Sequence, residues 1–157
     1  MVKKEIRFKG IIDVGIIALS HCKNPAQKSS LIFFSKVLKL EIPCLIPVST
    51  IVGAYQVMTN YLKVPPKDVK NALINTLQFK RPIFIEDINK DLAKRALDLA
   101  EKSRFESWDG YHISLMEQKN ISIVYTLDIS DFSKLDWITA INPLDEKEYH
   151  EYQQWLI

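Results

Sequence analysis

Short apolar runs rich in β-branched residues alternate with segments of helical periodicity along the whole chain. We expect strands at residues 6–13, 42–48, 82–87, 121–128 and 137–143. Strands that alternate with helices are typical of βαβ units, in which a parallel sheet carries helices on both faces. The pattern therefore predicts an α/β fold, a three-layer α/β/α sandwich around a mainly parallel sheet of about five strands.

The helical segments have apolar residues at the spacing of one helix face. Ser49 or Thr50, Asn89 and Pro143 are the expected starts of three helices, and Pro66 begins another. The predicted buried faces are Leu31, Phe34, Val37 and Leu38; Ile51, Ala54, Tyr55, Met58 and Leu62; Val69, Leu73 and Leu77; and Leu92, Ala96 and Leu99.

Composition limits the kinds of function that the chain can have. Its 157 residues fit one domain, residues 1–157, and its net charge of +2 supplies no broad basic field, so nucleic-acid binding would need a local patch or metal ions. Cys22 and Cys44 lack the spacing of a metal or redox motif, which suits a reducing compartment. No run approaches the ~20 apolar residues of a membrane span. We expect a cytoplasmic protein with no membrane association.

Three aspartates occupy positions where a parallel sheet would bring them together. Asp13 and Asp128 end predicted strands, and Asp109 lies in the first turn of a predicted helix. Each alone is explained equally well as a helix cap, a turn acid or a partner of the helix dipole. Together they would converge at the carboxyl edge of the sheet, where like charges repel strongly unless a cation neutralises them.

The order of three motifs resembles that of a PIN domain, in particular the small single-domain type of the VapC toxins and their archaeal relatives. GIIDVG contains Asp13, ESWDGYHISLM contains Asp109, and VYTLDISDFSKL contains Asp128, with ITAINP following. The resemblance runs from about Ile11 to Pro143. It implies a metal-dependent ribonuclease that holds Mg²⁺ or Mn²⁺ with a cluster of carboxylates.

The resemblance assigns residues position by position. It implies that Asp13, Asp109 and Asp128 are the catalytic and metal-binding acids. Thr126 matches the Thr or Ser that precedes the last acid, and Asp131 matches the Asp of a downstream Asp-Phe pair. Carboxylates suit these hard cations, which prefer oxygen ligands. The implied reaction is hydrolysis of phosphodiester bonds in single-stranded RNA.

One acid of the family pattern is missing. VapC-like members usually have a Glu on the helix after the second strand, where this chain offers Tyr55, with Ala54 and Gln56 beside it. No carboxylate occurs between Glu41 and Asp68. Gln56 could supply a neutral carbonyl ligand, and Glu106 could reach the site from the other side, although a loop or cap acid explains Glu106 better. The third reading is a degraded site, and the sequence favours a weakened nuclease over an inert one.

The sequence leaves several alternatives open. The leading function is an Mg²⁺/Mn²⁺-dependent endoribonuclease, with the toxin of a toxin–antitoxin pair as one form of it, an antitoxin protein as its partner and a homodimer by analogy. The alternative is an impaired PIN module that binds RNA or a protein without cleavage. A receiver domain fits poorly, because the acids and Lys expected around a phospho-acceptor are not in matching places.

Aromatic and histidine side chains near the acids have two readings each. Trp108, Tyr111 and Tyr125 could stack on bases, although aromatics beside apolar strands are more often core residues. His112, three residues after Asp109, could lie near the site, but a surface or core-edge histidine is the simpler interpretation.

Overall fold

A computed structural model describes residues 5–81, 83–86 and 88–157 of the chain. Within them the sheet has five strands: β1 (Gly10–Ile12), β2 (Cys44–Pro47), β3 (Phe84–Ile85), β4 (Ile123–Tyr125) and β5 (Thr139–Ile141). Their order is β3-β2-β1-β4-β5, and every pairing is parallel. The predicted parallel sheet is therefore confirmed.

Helices connect the strands throughout the described part of the chain. They are α1 (Val14–Ser20), α2 (Gln27–Leu38), α3 (Val48–Gln56), α4 (Pro66–Leu77), α5 (Lys90–Ser103), α6 (Ser107–Lys119), α7 (Ile129–Phe132) and α8 (Glu146–Trp155). A π-helix, Val57–Tyr61, continues α3 directly.

Alternate residues of the central strands face two separate hydrophobic cores. Ile12, Cys44 and Ile46 pack with side chains of α1 to α4, the π-helix and α8. Ile11, Leu45 and Val124 pack with side chains of α5, α6 and α7. Successive strand side chains point to opposite faces, so the sheet lies between two helical layers. The predicted three-layer sandwich is confirmed.

The predicted cap of α3 is wrong. The helix begins at Val48 after Pro47, and no side chain caps its first turn. Instead Thr50 donates a hydrogen bond to the Pro47 carbonyl at 2.6 Å, and Ser49 donates to the Tyr111 hydroxyl at 2.7 Å. The Ser49 hydroxyl therefore links α3 to α6, although these two helices pack on opposite faces of the sheet.

Other local expectations also differ from the structure. Leu31, Tyr55 and Leu77 are exposed rather than buried, because each helix turns a different stripe toward its core. The last helix begins at Glu146 with Asp145 as its cap, not at Pro143. In contrast, Asn89 caps α5 as predicted, accepting a hydrogen bond from the Leu92 amide.

All five strands are shorter in the structure than the predicted ranges. β1 covers three residues of the predicted 6–13, since the chain enters α1 directly after Asp13. The strand predicted at 82–87 is observed as Phe84–Ile85, and its end residues Pro82 and Asp87 lie outside the described residues. None of the helices described is long and apolar enough to cross a membrane.

Candidate metal centre

Two acid-bearing chain segments meet at the carboxyl edge of the sheet and are linked by one threonine. Asp13 follows β1 and caps α1, with its Oδ1 accepting a hydrogen bond from the Val14 amide at 2.7 Å. Its Oδ2 accepts from the hydroxyl of Thr126, also at 2.7 Å. The same Thr126 oxygen accepts from the amide of Asp128 at 3.0 Å. Thr126 is fully buried, so it fixes Asp13 relative to the segment after β4.

Asp109, Asp128 and Asp131 form a cluster of carboxylates at this edge. Each offers an oxygen, and these oxygens all lie within 4.8 Å of one another. Asp109 comes from the first turn of α6, and Asp128 caps α7 by accepting from the Asp131 amide at 3.2 Å. The short helix α7 therefore turns Asp131 back toward Asp128, and the three carboxylates are close enough to share one cation.

Asp109 lies deepest in the cluster, with 7% of its surface exposed. Burial raises its pKa to about 7, and the negative charges of Asp13, Asp128, Asp131 and Glu106 contribute to this rise. Both causes penalise the charged carboxylate. Asp131 differs, because a hydrogen bond from Lys134 lowers its pKa; the Lys134 Nζ lies 2.8 Å from Asp131 Oδ1.

His112 lies against Asp13 and is completely buried. Its Nδ1 is 2.7 Å from the Trp108 carbonyl, so Nδ1 carries the proton and donates it. Its Nε2 is 3.7 Å from Asp13 Oδ1. Among the described residues, this Nε2 is the one buried side-chain nitrogen or oxygen atom without a hydrogen-bond partner. His112 is therefore not a surface histidine, and it lies beside Asp13, as the other interpretation predicted.

These observations fit a divalent cation. Clustered carboxylates are oxygen donors of the kind that Mg²⁺ and Mn²⁺ prefer, and a cation would remove the repulsion that raises the pKa of Asp109. An unpartnered imidazole nitrogen beside Asp13 is compatible with the softer of these ions.

A pocket of about 270 Å³ opens onto the acids. Asp13, Asp109 and Asp128 contribute to its lining, and so do Gln56 and Glu106. Both candidates for the missing family acid therefore lie at the pocket, Gln56 at the end of α3 and Glu106 just before α6. No carboxylate of α3 takes part. The roles of all these residues stay predictions.

Close contact between two helices sets the depth of Asp109. A Cβ placed on Gly110 would lie 2.4 Å from the backbone oxygen of Ala96 in α5. Real Cβ atoms essentially never approach a backbone oxygen so closely, so a glycine lets α6 pack directly on α5. The residue before it, Asp109, is thereby held at the buried edge.

The aromatic residues near the acids separate into core and pocket residues. Tyr111 is buried, and Tyr125 packs its ring 4.7 Å from the ring of Phe33. Trp108 lines the pocket and is partly exposed. Tyr61, which the sequence reasoning missed, lines it as well. No periodicity argument would identify Tyr61, because the π-helix changes the helical register just before it.

Comparison with known proteins supports the fold and nothing finer. No protein-family model and no curated protein matches the sequence. Among solved structures, Mycobacterium tuberculosis VapC20, a toxin that cleaves the sarcin–ricin loop, superimposes with a TM-score of 0.62. The match covers 80% of this chain and 94% of that chain, at 15% sequence identity. The chain therefore has the fold of a VapC-like PIN domain.

Proposed function

We propose that the protein is a metal-dependent endoribonuclease of the PIN type that hydrolyses phosphodiester bonds in single-stranded RNA. The observation that carries this proposal is the cluster of Asp109, Asp128 and Asp131 beside Asp13, in which burial of Asp109 and the charges around it raise the pKa of Asp109 to about 7. A fold maintained for stability alone gains nothing from burying one carboxylate beside other negative charges. Perturbed acids in a pocket are typical of functional sites.

Asp109, Asp128 and Asp131 are the residues that would hold Mg²⁺ or Mn²⁺, with Asp13 beside them. When bound, such a cation polarises a phosphoryl oxygen and lowers the pKa of a water. The chain's own residues prepare the site for it. Thr126 positions the carboxylate of Asp13 and the backbone of Asp128 relative to each other through its hydroxyl.

The missing acid of α3 is partly replaced from another element. Glu106 lies at the same pocket, and its charge contributes to the raised pKa of Asp109. Asp131 adds a carboxylate within the 4.8 Å cluster. The negative charge of the site is therefore supplied by Asp13 and by residues at the starts of α6 and α7 rather than by α3, which favours a working nuclease.

The impaired PIN module remains the second candidate. It is favoured by the α3 side of the pocket, where Gly53 and Gln56 stand and no carboxylate is present. A site with fewer acids on one side binds a second cation poorly. RNA or protein binding without cleavage would then be the function.

The biological setting proposed here follows from the fold and from its likeness to VapC20, which is a toxin. For this chain, action as the toxin of a toxin–antitoxin pair, an antitoxin partner, a homodimer and a cytoplasmic location are all parts of the proposal.

Cleavage of a labelled single-stranded RNA in Mn²⁺ tests the proposal. We expect wild-type protein to cleave and Asp109→Asn to lose at least about 100-fold of the rate, since the variant removes a charge at the centre of the cluster. Glu117→Gln is the matched control, because Glu117 lies on the same helix but pairs with Arg95 at the surface. Equal background rates in all three proteins would support the impaired module instead.

A further inference from the structure

The pocket beside the acids also has an apolar and aromatic wall. Val14, Gly53, Val57, Tyr61 and Trp108 supply this wall. The lining in the described residues contains no Lys or Arg. A ligand that fits such a pocket therefore presents a flat, largely uncharged part to the wall and an anionic part to the cation site.

Tyr61 is largely exposed to solvent, whereas Met58 of the same π-helix is buried in the core. It ends the π-helix Val57–Tyr61, and 72% of its surface is exposed although it lines the pocket. π-helical insertions occur frequently at functional sites, because they change the direction of a side chain without ending the helix. An aromatic ring left open beside a polar cluster is available to stack on a planar ligand.

Trp108 stands in the same pocket and is held in place. Its ring packs edge-on against Tyr111 at a centroid distance of 5.7 Å. A Cβ added to Gly53 would lie 3.4 Å from Trp108 Cζ2 and 3.1 Å from Val14 Cγ2, so glycine permits the close packing of α3 on this ring. One aromatic side of the pocket is therefore fixed, and the other, Tyr61, is open to solvent.

We propose that Tyr61 and Trp108 form a stacking subsite for one unpaired nucleobase next to the phosphodiester at the acidic cluster. This inference rests on the proposed function and adds the recognition of the substrate to it. A base in a duplex has both faces covered by its neighbours, so the subsite selects a single-stranded or extruded nucleotide. Stacking is tolerant of base identity, since every base has an aromatic face.

Binding of short RNA measures the subsite directly. Fluorescence anisotropy of a labelled single-stranded hexanucleotide is recorded in Ca²⁺, for wild type, Tyr61→Ala and Tyr61→Phe. We expect Tyr61→Ala to raise Kd roughly 5- to 100-fold, as removal of one stacking contact does. Tyr61→Phe keeps the ring and should stay within about 2-fold of wild type.

Tyr55→Ala is the matched control. Tyr55 is also an exposed tyrosine on the same continuous helix, but it is absent from the lining of the pocket. We expect its Kd to equal that of wild type. Both tyrosines are solvent-exposed, so neither substitution removes a core contact.

Hexanucleotides with one abasic position, scanned along the strand, identify the stacked base. At one position, removal of the base should raise the Kd of wild type. For that RNA the Tyr61→Ala substitution should cause no further increase, because the base that stacks on the Tyr61 ring is already missing. A Tyr61→Ala effect that is the same for intact RNA and for every abasic RNA overturns the proposal. Equal Kd values of wild type and Tyr61→Ala for intact RNA also overturn the proposal. The exposed ring of Tyr61 would then be a contact for a protein rather than for RNA.

The two proposals fail in different ways. If cleavage depends on Mn²⁺ and on Asp109 while Tyr61→Ala binds RNA as wild type does, the subsite is wrong and the nuclease stands. If the abasic scan locates the stacked base while no cleavage depends on Asp109, the subsite stands and the nuclease is wrong.

Discussion

Helix α6 carries carboxylates in two opposite situations, one near each end. Near its end, Glu117 receives two hydrogen bonds from the Arg95 guanidinium, both at 3.1 Å, and the neighbouring Asp98 pairs with Lys102 at 3.0 Å. Near its start, Asp109 is buried among other acids. Among the residues that the structure describes, Lys134 is the one Lys or Arg that forms an ion pair with this cluster, and its partner is Asp131.

The two situations differ in how each carboxylate charge is compensated: Glu117 has a guanidinium beside it, whereas Asp109 has other acids. An exposed carboxylate with a cation beside it is solvated, screened by salt and contributes little to stability. Buried carboxylates without enough cations destabilise the folded chain until something neutralises them. Substitutions in the two regions test this contrast, beginning with the one of largest expected effect.

Asp109→Asn should stabilise the metal-free protein at high pH. The pKa of Asp109 is about 7 in the folded protein and about 3.9 when unfolded, so the folded state holds the extra proton between these values. The free energy of unfolding of wild type therefore falls as pH rises from about 4 to about 7, and the Asn variant lacks this loss. At pH 8 we expect the variant to be more stable by about 1–3 kcal/mol.

Chemical denaturation in EDTA at pH 4, 6 and 8 measures this effect. The two proteins should differ little at pH 4, and saturating Mn²⁺ at pH 8 should stabilise wild type much more than the variant. Glu117→Gln should follow the wild-type pH dependence. Parallel curves for wild type and Asp109→Asn would contradict the charge burial described for this site.

Lys134→Met should strengthen cation binding by roughly 2- to 10-fold at pH 7. The substitution removes the positive charge 2.8 Å from Asp131 Oδ1, so the cluster becomes more negative and that oxygen is released. The ammonium also lies 5.1 Å from the centre of the Phe105 ring, and the apolar methionine can keep that contact. Calorimetric titration with Mn²⁺ gives the affinity.

Lys102→Met serves as the control for that titration, because Lys102 pairs with Asp98 on the surface and should leave the affinity unchanged. An unchanged affinity in Lys134→Met would show that Asp131 does not face the cation.

Arg95→Met should have the smallest effect, although it removes the partner of both Glu117 and Asp98. Exposed ion pairs contribute little, so we expect Tm to change by about 2 °C or less and Mn²⁺-dependent cleavage to be unchanged. Calorimetry measures the Tm. A large decrease would contradict the prediction, because it would mean that the ion pairs of Arg95 stabilise the fold substantially.

Much of the architecture follows from local patterns. Residues 121–128 and 42–48 are apolar runs between helical segments, and each contains an observed parallel strand. The prediction that Asp13 and Asp128 lie at the carboxyl edge depends on their positions at the ends of such runs. Packing decided the rest. The exposure of Leu31 and Leu77 depends on which stripe of each helix meets the core, and periodicity alone leaves several stripes acceptable.

The candidate site was less accessible to sequence reasoning for a similar reason. The resemblance alone predicts Asp131 as a supporting residue, and its proximity to Asp109 depends on the tight turn of α7. The spacing of Asp128 and Asp131, three residues apart, was a usable signal for two acids on one turn. The burial of His112 and the hydrogen bond between Ser49 and Tyr111 have no local signal, because their partners are remote in the chain.

The π-helix after α3 makes the length of this segment matter as much as its composition. An α-helix advances about 100° per residue, so loss of one residue from Val57–Tyr61 would rotate everything downstream of it around the axis. Tyr61 would then leave the pocket even if the ring itself were retained. Insertions and deletions in this segment would therefore change the lining of the pocket more abruptly than substitutions would.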